Sequence, residues 1–175
     1  MPVGAENTHM TVEFDFGGDV VLVTGAGGAL GSAVCEAFDD AGATVCGADI
    51  VTPDSEDFLL DTDHVHFYQG DFTDEGAVTD TVPAIVDDHG GIDYLANIAG
   101  TWRGGTPIAE ENLGDLRANA VMPSVIDTPM NREMMPDADH ETWVDPADIA
   151  EVVMFLCSDA ASVTSGAAVP VYGEA

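Results

Sequence analysis

The sequence predicts an α/β fold, a doubly wound parallel sheet of about six strands, and three observations carry that expectation. Short apolar strands alternate with amphipathic stretches along the first hundred residues, the rhythm of right-handed crossovers between parallel strands. The stretch Val20 to Gly31, VVLVTGAGGALG, passes from an apolar run through a glycine-rich turn into a helical pattern. A second strand, TVCGAD from Thr44, closes on Asp49, eighteen positions beyond Gly31, close to the spacing at which an acid meets an adenosine ribose.

Taken in order, residues 1–18 are polar until Val12, Phe14 and Phe16 alternate towards an edge contact. Val20 to Val23 are β-branched or apolar throughout, as in a central strand covered on both faces. From Ala29 to Ala41 the residues Leu30, Ala33, Val34, Ala37 and Phe38 recur at three and four, which predicts a helix lying on the sheet and capped by Gly42. After Asp49 a polar, proline-bearing link holds a short helix at Glu56 to Leu60. His64 to Gln69 alternates as a third strand, and GDFTDEGA then starts a helix with Thr73 as N-cap. Val78, Val82, Ile85 and Val86 mark its buried face, Pro83 sits inside it, and His89-Gly90-Gly91 ends it. Ile92 to Ile98 is a fourth strand and Leu116 to Met122 a fifth. Asp145-Pro146 opens a helix with Ile149, Val152, Val153 and Leu156 as its stripe, and AAVPVYG is a last strand at an edge, where Pro170 is tolerated.

At 175 residues the chain fits one domain, spanning 1–175. It carries 33 acids against three basic residues, Arg103, Arg117 and Arg132, has no lysine, and has a formal charge of −30. That charge excludes nucleic acid and anionic membrane as partners, since both are polyanions. With 46% hydrophobic residues and the acids spread along the chain, the expectation is a folded protein with an acidic surface, from a halophile's cytoplasm. Cys35, Cys46 and Cys157 are odd in number and lie in apolar patterns, which predicts buried thiols in a reducing compartment. No export signal and no membrane-spanning run is expected. His64 and His66 share one face of a strand, but no carboxylate or thiol at ligand spacing joins them, so no metal site is expected.

The glycine-rich turn is the first chemical signal. Gly25, Gly27, Gly28 and Gly31 let the backbone turn tightly, and the following helix points unpaired N–H groups and its positive dipole end into the turn, where a pyrophosphate fits. Such turns also follow strands in proteins that bind no nucleotide. Asp49 is the second signal: its carboxylate can accept both ribose hydroxyls and would repel a 2′-phosphate, so the expected cofactor is NAD rather than NADP. Its alternative role is to cap the turn before Pro53.

The order of motifs resembles the short-chain dehydrogenase/reductase family over most of the chain. TGAGGALG from Thr24 resembles the family's cofactor turn, GDFTD from Gly70 the segment after its third strand, and NIAG from Asn97 its NAG motif. PSVIDTPM from Pro123 resembles the motif beside the nicotinamide, and SGAAVPVYG the closing strand. The resemblance implies a Rossmann-like sheet and a cofactor turn of Thr24, Gly25, Gly28, Leu30 and Gly31, with Gly25 and Gly31 facing the pyrophosphate. It also implies Asp49 at the ribose and Asp71 at the adenine ring, with Asn97, Ala99 and Gly100 supporting the fourth strand beneath the adenosine. Val125 and Thr128 would hold the nicotinamide carboxamide and a nearby phosphate. Read from the residues alone, Asp71 is equally a helix-entry turn and Asn97 a strand-end hydrogen-bonder.

Ala29 stands where the family pattern has glycine, although Gly25, Gly28 and Gly31 fit the variant TGxxGxxG, and Ser124 stands where PG is usual. A larger departure concerns the chemistry. The family's tyrosine acid/base needs a lysine four positions later, and four positions beyond Tyr68 and Tyr94 lie Phe72 and Ile98, while Tyr172 is followed by the chain end. Between Gly100 and Leu116 lie fifteen residues where the family has a helix, a strand and a helix, far fewer than three such elements need. An internal deletion with its junction at Pro107 to Glu110 is therefore expected, removing serine, tyrosine, lysine and relay asparagine together with the helices through which the family associates. The sheet must then close up, with the Leu116 strand beside the Ile92 strand, or keep a gap. Two functions remain: an oxidoreductase moving hydride between NAD(H) and a small carbonyl or alcohol substrate, with His140, Glu133 or Arg132 as substitute acid, or an inactive dinucleotide-binding or structural variant.

Overall fold

The computed structural model describes residues 13–99 and 117–173. At its centre is β1 (Val20–Thr24), all five residues buried, as its β-branched, two-sided apolar run requires. It pairs in parallel with β2 (Thr44–Asp49) from Val20↔Thr44 to Thr24↔Ala48, and on its other side with β4 (Tyr94–Asn97) from Val21↔Tyr94 to Thr24↔Asn97. β3 (His66–Gln69) adds to β2, giving the order β3-β2-β1-β4. All four strands point the same way, so their carboxyl ends share one rim.

The two faces of this sheet are buried by different helices. Val21, Val23 and Val45 meet Val34, Cys35 and Phe38 of α1 (Ala29–Asp40) and Ala150 and Met154 of α4 (Pro146–Cys157) on one face. Val20, Leu22, Cys46 and Ala48 meet Ile85 of α2 (Glu75–His89) on the other. Each such aliphatic side chain withdrawn from water contributes about 1.5–3 kcal/mol, and β1 supplies four of them, Val20 to Val23. Phe16 closes one end of the core, 2% exposed, with its ring edge-on to Phe38 and Tyr94. Val12 lies outside the described residues, and Phe14 and Phe16 belong to no strand.

Several boundaries differ from the expectation for local reasons. Glu56 to Leu60 is not helical: Ser55 and Phe58 N–H groups make successive turns to Thr52 and Ser55, and the Leu59 N–H then leaves the local chain for the Gly27 carbonyl. β3 starts at His66 rather than His64, and β4 is shorter than Ile92 to Ile98. The N-cap of α2 is Asp74, which accepts from the Gly76 N–H, because the Thr73 hydroxyl is spent on Asp71. α2 runs through Pro83 to His89 and ends at Gly90 in the left-handed region. Of its expected face only Ile85 is fully buried, and Val78 and Val86 are exposed. In α4, Asp145 caps the Ala147 N–H as expected, but the buried stripe is Ile149, Ala150, Met154 and Leu156, since the small Ala150 turns towards α1.

Among the described residues the sheet does not close up: β4 pairs with β1 alone. Leu116 lies outside the described residues, and β5 is Ala120–Pro123, paired in parallel with β6 (Ala168–Val171) and, among the described residues, with no other strand. Arg117 and Asn119 are diverted from strand pairing. The Arg117 guanidinium donates to the carbonyls of Leu156 and Cys157 at the end of α4 and of Ala161 in the turn that follows, and Asn119 bonds Thr164 and Ala167. α4 thus packs on α1 and β5 alike and ties the two-stranded sheet to the four-stranded one. Between β5 and α4 lies the short α3 (Pro129–Met134).

Cys35 and Cys46 are buried and Cys157 half-buried, and burial pushes their thiols up to about 12, 11 and 11. The His66 ring lies against His89, and no group of three metal ligands forms among the described residues. No helix there is long and apolar enough to cross a membrane.

Candidate functional site

Ligands of open α/β sheets bind outside the carboxyl ends of the strands; here the Gly25 and Ala26 N–H groups bond the Ala48 carbonyl of β2, and the ends of β1 and β4 are sewn together by Thr24. Its hydroxyl, on a residue 7% exposed, donates to Asn97 Oδ1 at 2.6 Å and accepts from the Ala99 N–H at 3.2 Å. The Thr24 carbonyl takes the Ile98 and Ala99 N–H groups. Asn97 is thus a strand-end hydrogen-bonder in this structure, and it holds β4 level with β1. Gly100 lies outside the described residues.

The turn after β1 is shaped by its own backbone. Gly25 has φ +73°, and a Cβ there would lie 2.8 Å from the Ala99 nitrogen. A Cβ on Gly31 would lie 1.9 Å from the Gly25 carbonyl oxygen, so glycine lets the first turn of α1 pass close to β1. Gly28, by contrast, is exposed, with only the Gly25 carbonyl 3.6 Å from a Cβ position. It is the N-cap of α1 and offers no side chain, so the first-turn amides of Ala29, Leu30 and Gly31 have no capping group. The Leu30 side chain packs half-buried against the core.

Asp49 ends β2, 9% exposed, with Oδ2 accepting from the Gly27 N–H at 2.8 Å and Oδ1 from the Val51 N–H at 2.9 Å. The Val51 bond is the turn-capping alternative; the Gly27 bond brings the carboxylate onto the glycine turn. Each oxygen keeps a lone pair for a further donor. Asp71, just beyond β3, is exposed and accepts from the Thr73 hydroxyl and N–H, bonds that hold its carboxyl below the usual range. Phe58 and Leu59 join Gly27 at this rim without having been expected: Leu59 donates its N–H to the Gly27 carbonyl at 2.8 Å, and the Phe58 ring lies over Gly27. Their one sequence signal is the apolar FLL in an otherwise polar link.

Val125 and Thr128 follow β5 at the matching end of the smaller sheet. The Val125 carbonyl accepts from Val144, and the Thr128 hydroxyl caps α3 at the Asn131 N–H. Beside them a cavity of about 600 Å³ is lined by Asp127, Arg132, Asp139, His140, Glu141, Trp143 and Asp145. Two of the substitute acids line it, and both are engaged. Arg132 makes a two-armed ion pair with Asp127, with 2.6 Å for one arm, which holds the Asp127 carboxyl low, and His140 Nε2 bonds the Met135 carbonyl. Glu133 does not line it. Burial raises Tyr68 and Tyr94 further above their ordinary value of 10.0.

Comparison with known proteins extends this picture. The family model for short chain dehydrogenase matches residues 19–116, and one described as enoyl-(acyl carrier protein) reductase matches residues 109–173. A 3-oxoacyl-[acyl-carrier-protein] reductase of Thermotoga maritima is 23% identical over 239 aligned positions, which take in 89% of this chain and 97% of that protein. Since the chain has 175 residues, at least 64 of those 239 positions have no residue of this chain opposite them. An uncharacterised oxidoreductase of Schizosaccharomyces pombe is 36% identical over 92 residues, 52% of this chain and 32% of that protein. Among solved structures, a glucose/ribitol dehydrogenase from Brucella melitensis superposes with TM-score 0.73 at 21% identity, covering 93% of this chain and 98% of that one. The ligand-free aldohexose dehydrogenase of Thermoplasma acidophilum gives 0.71 at 21%, covering 92% and 94%. Matched over more than half its length by the family's model, and carrying that fold, the chain belongs to the short-chain dehydrogenase/reductase family.

Proposed function

We propose that this chain binds NAD at the rim of β1, β2 and β4 and lacks the family's proton-transfer step. The observation that carries the reading is the buried Asp49 carboxylate held against the Gly27 amide at the end of β2. A carboxylate fixed there accepts ribose hydroxyls and repels a 2′-phosphate. Gly28 leaves open space in front of the α1 amides, which suits a pyrophosphate, while Gly25 and Gly31 keep the turn tight. Asp71 at the adenine, Asn97, Ala99 and Gly100 beneath the adenosine, and Val125 and Thr128 at the nicotinamide complete the proposed site.

NAD, when bound, supplies a hydride donor or acceptor for a carbonyl or alcohol carbon. The protein must move the matching proton, and no lysine exists in the chain to lower a tyrosine into the neutral range. The short stretch between β4 and β5, the surplus of at least 64 aligned positions and the overlap of the two family models at 109–116 support an internal deletion there. An acidic, lysine-free surface supports a halophile's cytoplasm.

Fluorescence titration with NADH at molar KCl, followed by single-turnover mixing with a panel of ketones, tests this. Saturable binding without NADH oxidation is the expected result. Oxidation would overturn the inactive assignment, and absence of binding the whole reading.

A further inference from the structure

Between β2 and β3 the chain makes its crossover, residues 50–65, without a helix, and it returns to the glycine turn at one residue. Three contacts meet at Gly27. Its N–H is held by Asp49 Oδ2 at 2.8 Å, and its carbonyl accepts the Leu59 N–H at 2.8 Å. A Cβ on Gly27 would lie 2.8 Å from Phe58 Cδ2 and 3.1 Å from Asp49 Oδ2, so the ring edge and the carboxylate oxygen stand within about 6 Å of one another. The ring is backed by Phe67 of β3, with centroids 5.0 Å apart and planes at 87°. Leu60, two residues on, is buried in the same core.

We propose that Phe58 is a positioning residue for dinucleotide binding: it clamps Gly27 from the crossover so that the Asp49 carboxylate stays fixed across the glycine turn. The proposal rests on the NAD reading above. Gly27 is the partner that orients Asp49 Oδ2, and Phe58 with the Leu59 amide is what orients Gly27. A carboxylate free to rotate away would make room for a 2′-phosphate; one held in place cannot. The clamp therefore acts on the choice between the two nucleotides, which a residue that merely fills the core would leave alone. It also gives a reason for glycine at position 27, since any side chain there must push the ring aside.

NADH and NADPH are titrated by fluorescence at molar KCl into the wild-type chain and into Phe58→Ala, Phe58→Leu and Gly27→Ala, with a melting curve for each. Phe58→Ala removes the ring, and Gly27→Ala displaces it from the opposite side of the contact. Both are expected to shrink the NADPH-to-NADH Kd ratio by about tenfold, the size of one well-placed charged hydrogen bond, while Phe58→Leu stays near the wild-type ratio. An unchanged ratio in Gly27→Ala, with wild type still binding NADH, would overturn the clamp and leave the NAD reading standing. The same holds if both nucleotides weaken in parallel. A wild-type chain that binds neither nucleotide removes the NAD reading and the clamp with it. Should Phe58→Ala fail to fold, Gly27→Ala and Phe58→Leu decide the matter.

Discussion

At the end of β2 the Asp49 carboxylate holds two backbone amides, those of Gly27 and Val51, in a residue 9% exposed. Asp49→Ala would leave the Gly27 N–H without its acceptor, which costs about 1–3 kcal/mol for a buried donor. Asp49→Asn keeps one acceptor oxygen and is expected to lose less; urea unfolding at molar KCl separates the two. Gly31→Ala is the harsher change, because its Cβ would lie 1.9 Å from the Gly25 carbonyl oxygen and backbone must move. A loss of about 1–3 kcal/mol or more is expected in the same assay. These residues show where reading from sequence reaches and stops. Gly31 is legible as a position needing glycine, and the structure adds a reason for it: the Gly25 carbonyl stands where a Cβ would go. Phe58 is legible only as part of an apolar run, not as a partner of the glycine turn, because Gly27 lies 31 positions earlier and only the folded crossover brings them together.

Among the elements, the two-stranded sheet depends on Arg117. Its guanidinium donates to two carbonyls at the end of α4, where the helix dipole also favours a cation, and to Ala161 in the following turn. Arg117→Met keeps the stem and removes those bonds, with an expected loss of about 1.5–3 kcal/mol if they count as charged hydrogen bonds. Hydrogen exchange gives the sharper readout: amides of β5 and β6 should exchange faster while those of β1 keep their protection, and uniform acceleration would show that Arg117 supports the whole molecule instead. The strands and helices themselves were legible, since the alternation of β-branched runs with three-and-four spacing is local information. Their ends were less so. Glu56 to Leu60 has helical spacing but lost its helix to one long-range bond, Leu59 N–H to Gly27, and Thr73 lost the N-cap to Asp74 because Asp71 captured its hydroxyl. Both outcomes hang on partners in the fold, which periodicity does not contain. The split of the sheet could be posed from the short stretch after Gly100 but not decided, because pairing of β5 with β6 is a choice between distant strands.

For the molecule as a whole, a formal charge of −30 on 175 residues opposes compaction wherever it is unscreened. Molar salt shortens the screening length to about 3 Å, against about 10 Å at 0.1 M. The melting temperature is therefore expected to climb steadily between 0.1 and 2 M KCl, and a flat or falling curve would contradict the role given to charge. Acid acts in two senses. At low salt, protonating mutually repelling carboxylates relieves strain in the folded state. Asp71 and Asp127 run the other way: their folded carboxyls titrate below the ordinary 3.8, so the stability they contribute is present above that value and is lost as pH falls through their lower folded values. NMR titration of the two side-chain carboxyls should find them among the last to protonate. All of this concerns the frame that keeps the rim of β1, β2 and β4 in place. Calorimetric titration of the wild-type chain with NAD and then with NADP, at about 1 M salt so that repulsion is screened, tests that rim most directly. Saturable NAD binding with NADP at least about tenfold weaker is the expected result, as for one buried carboxylate facing a phosphate. Equal affinity for the two, or no binding of either, would contradict it.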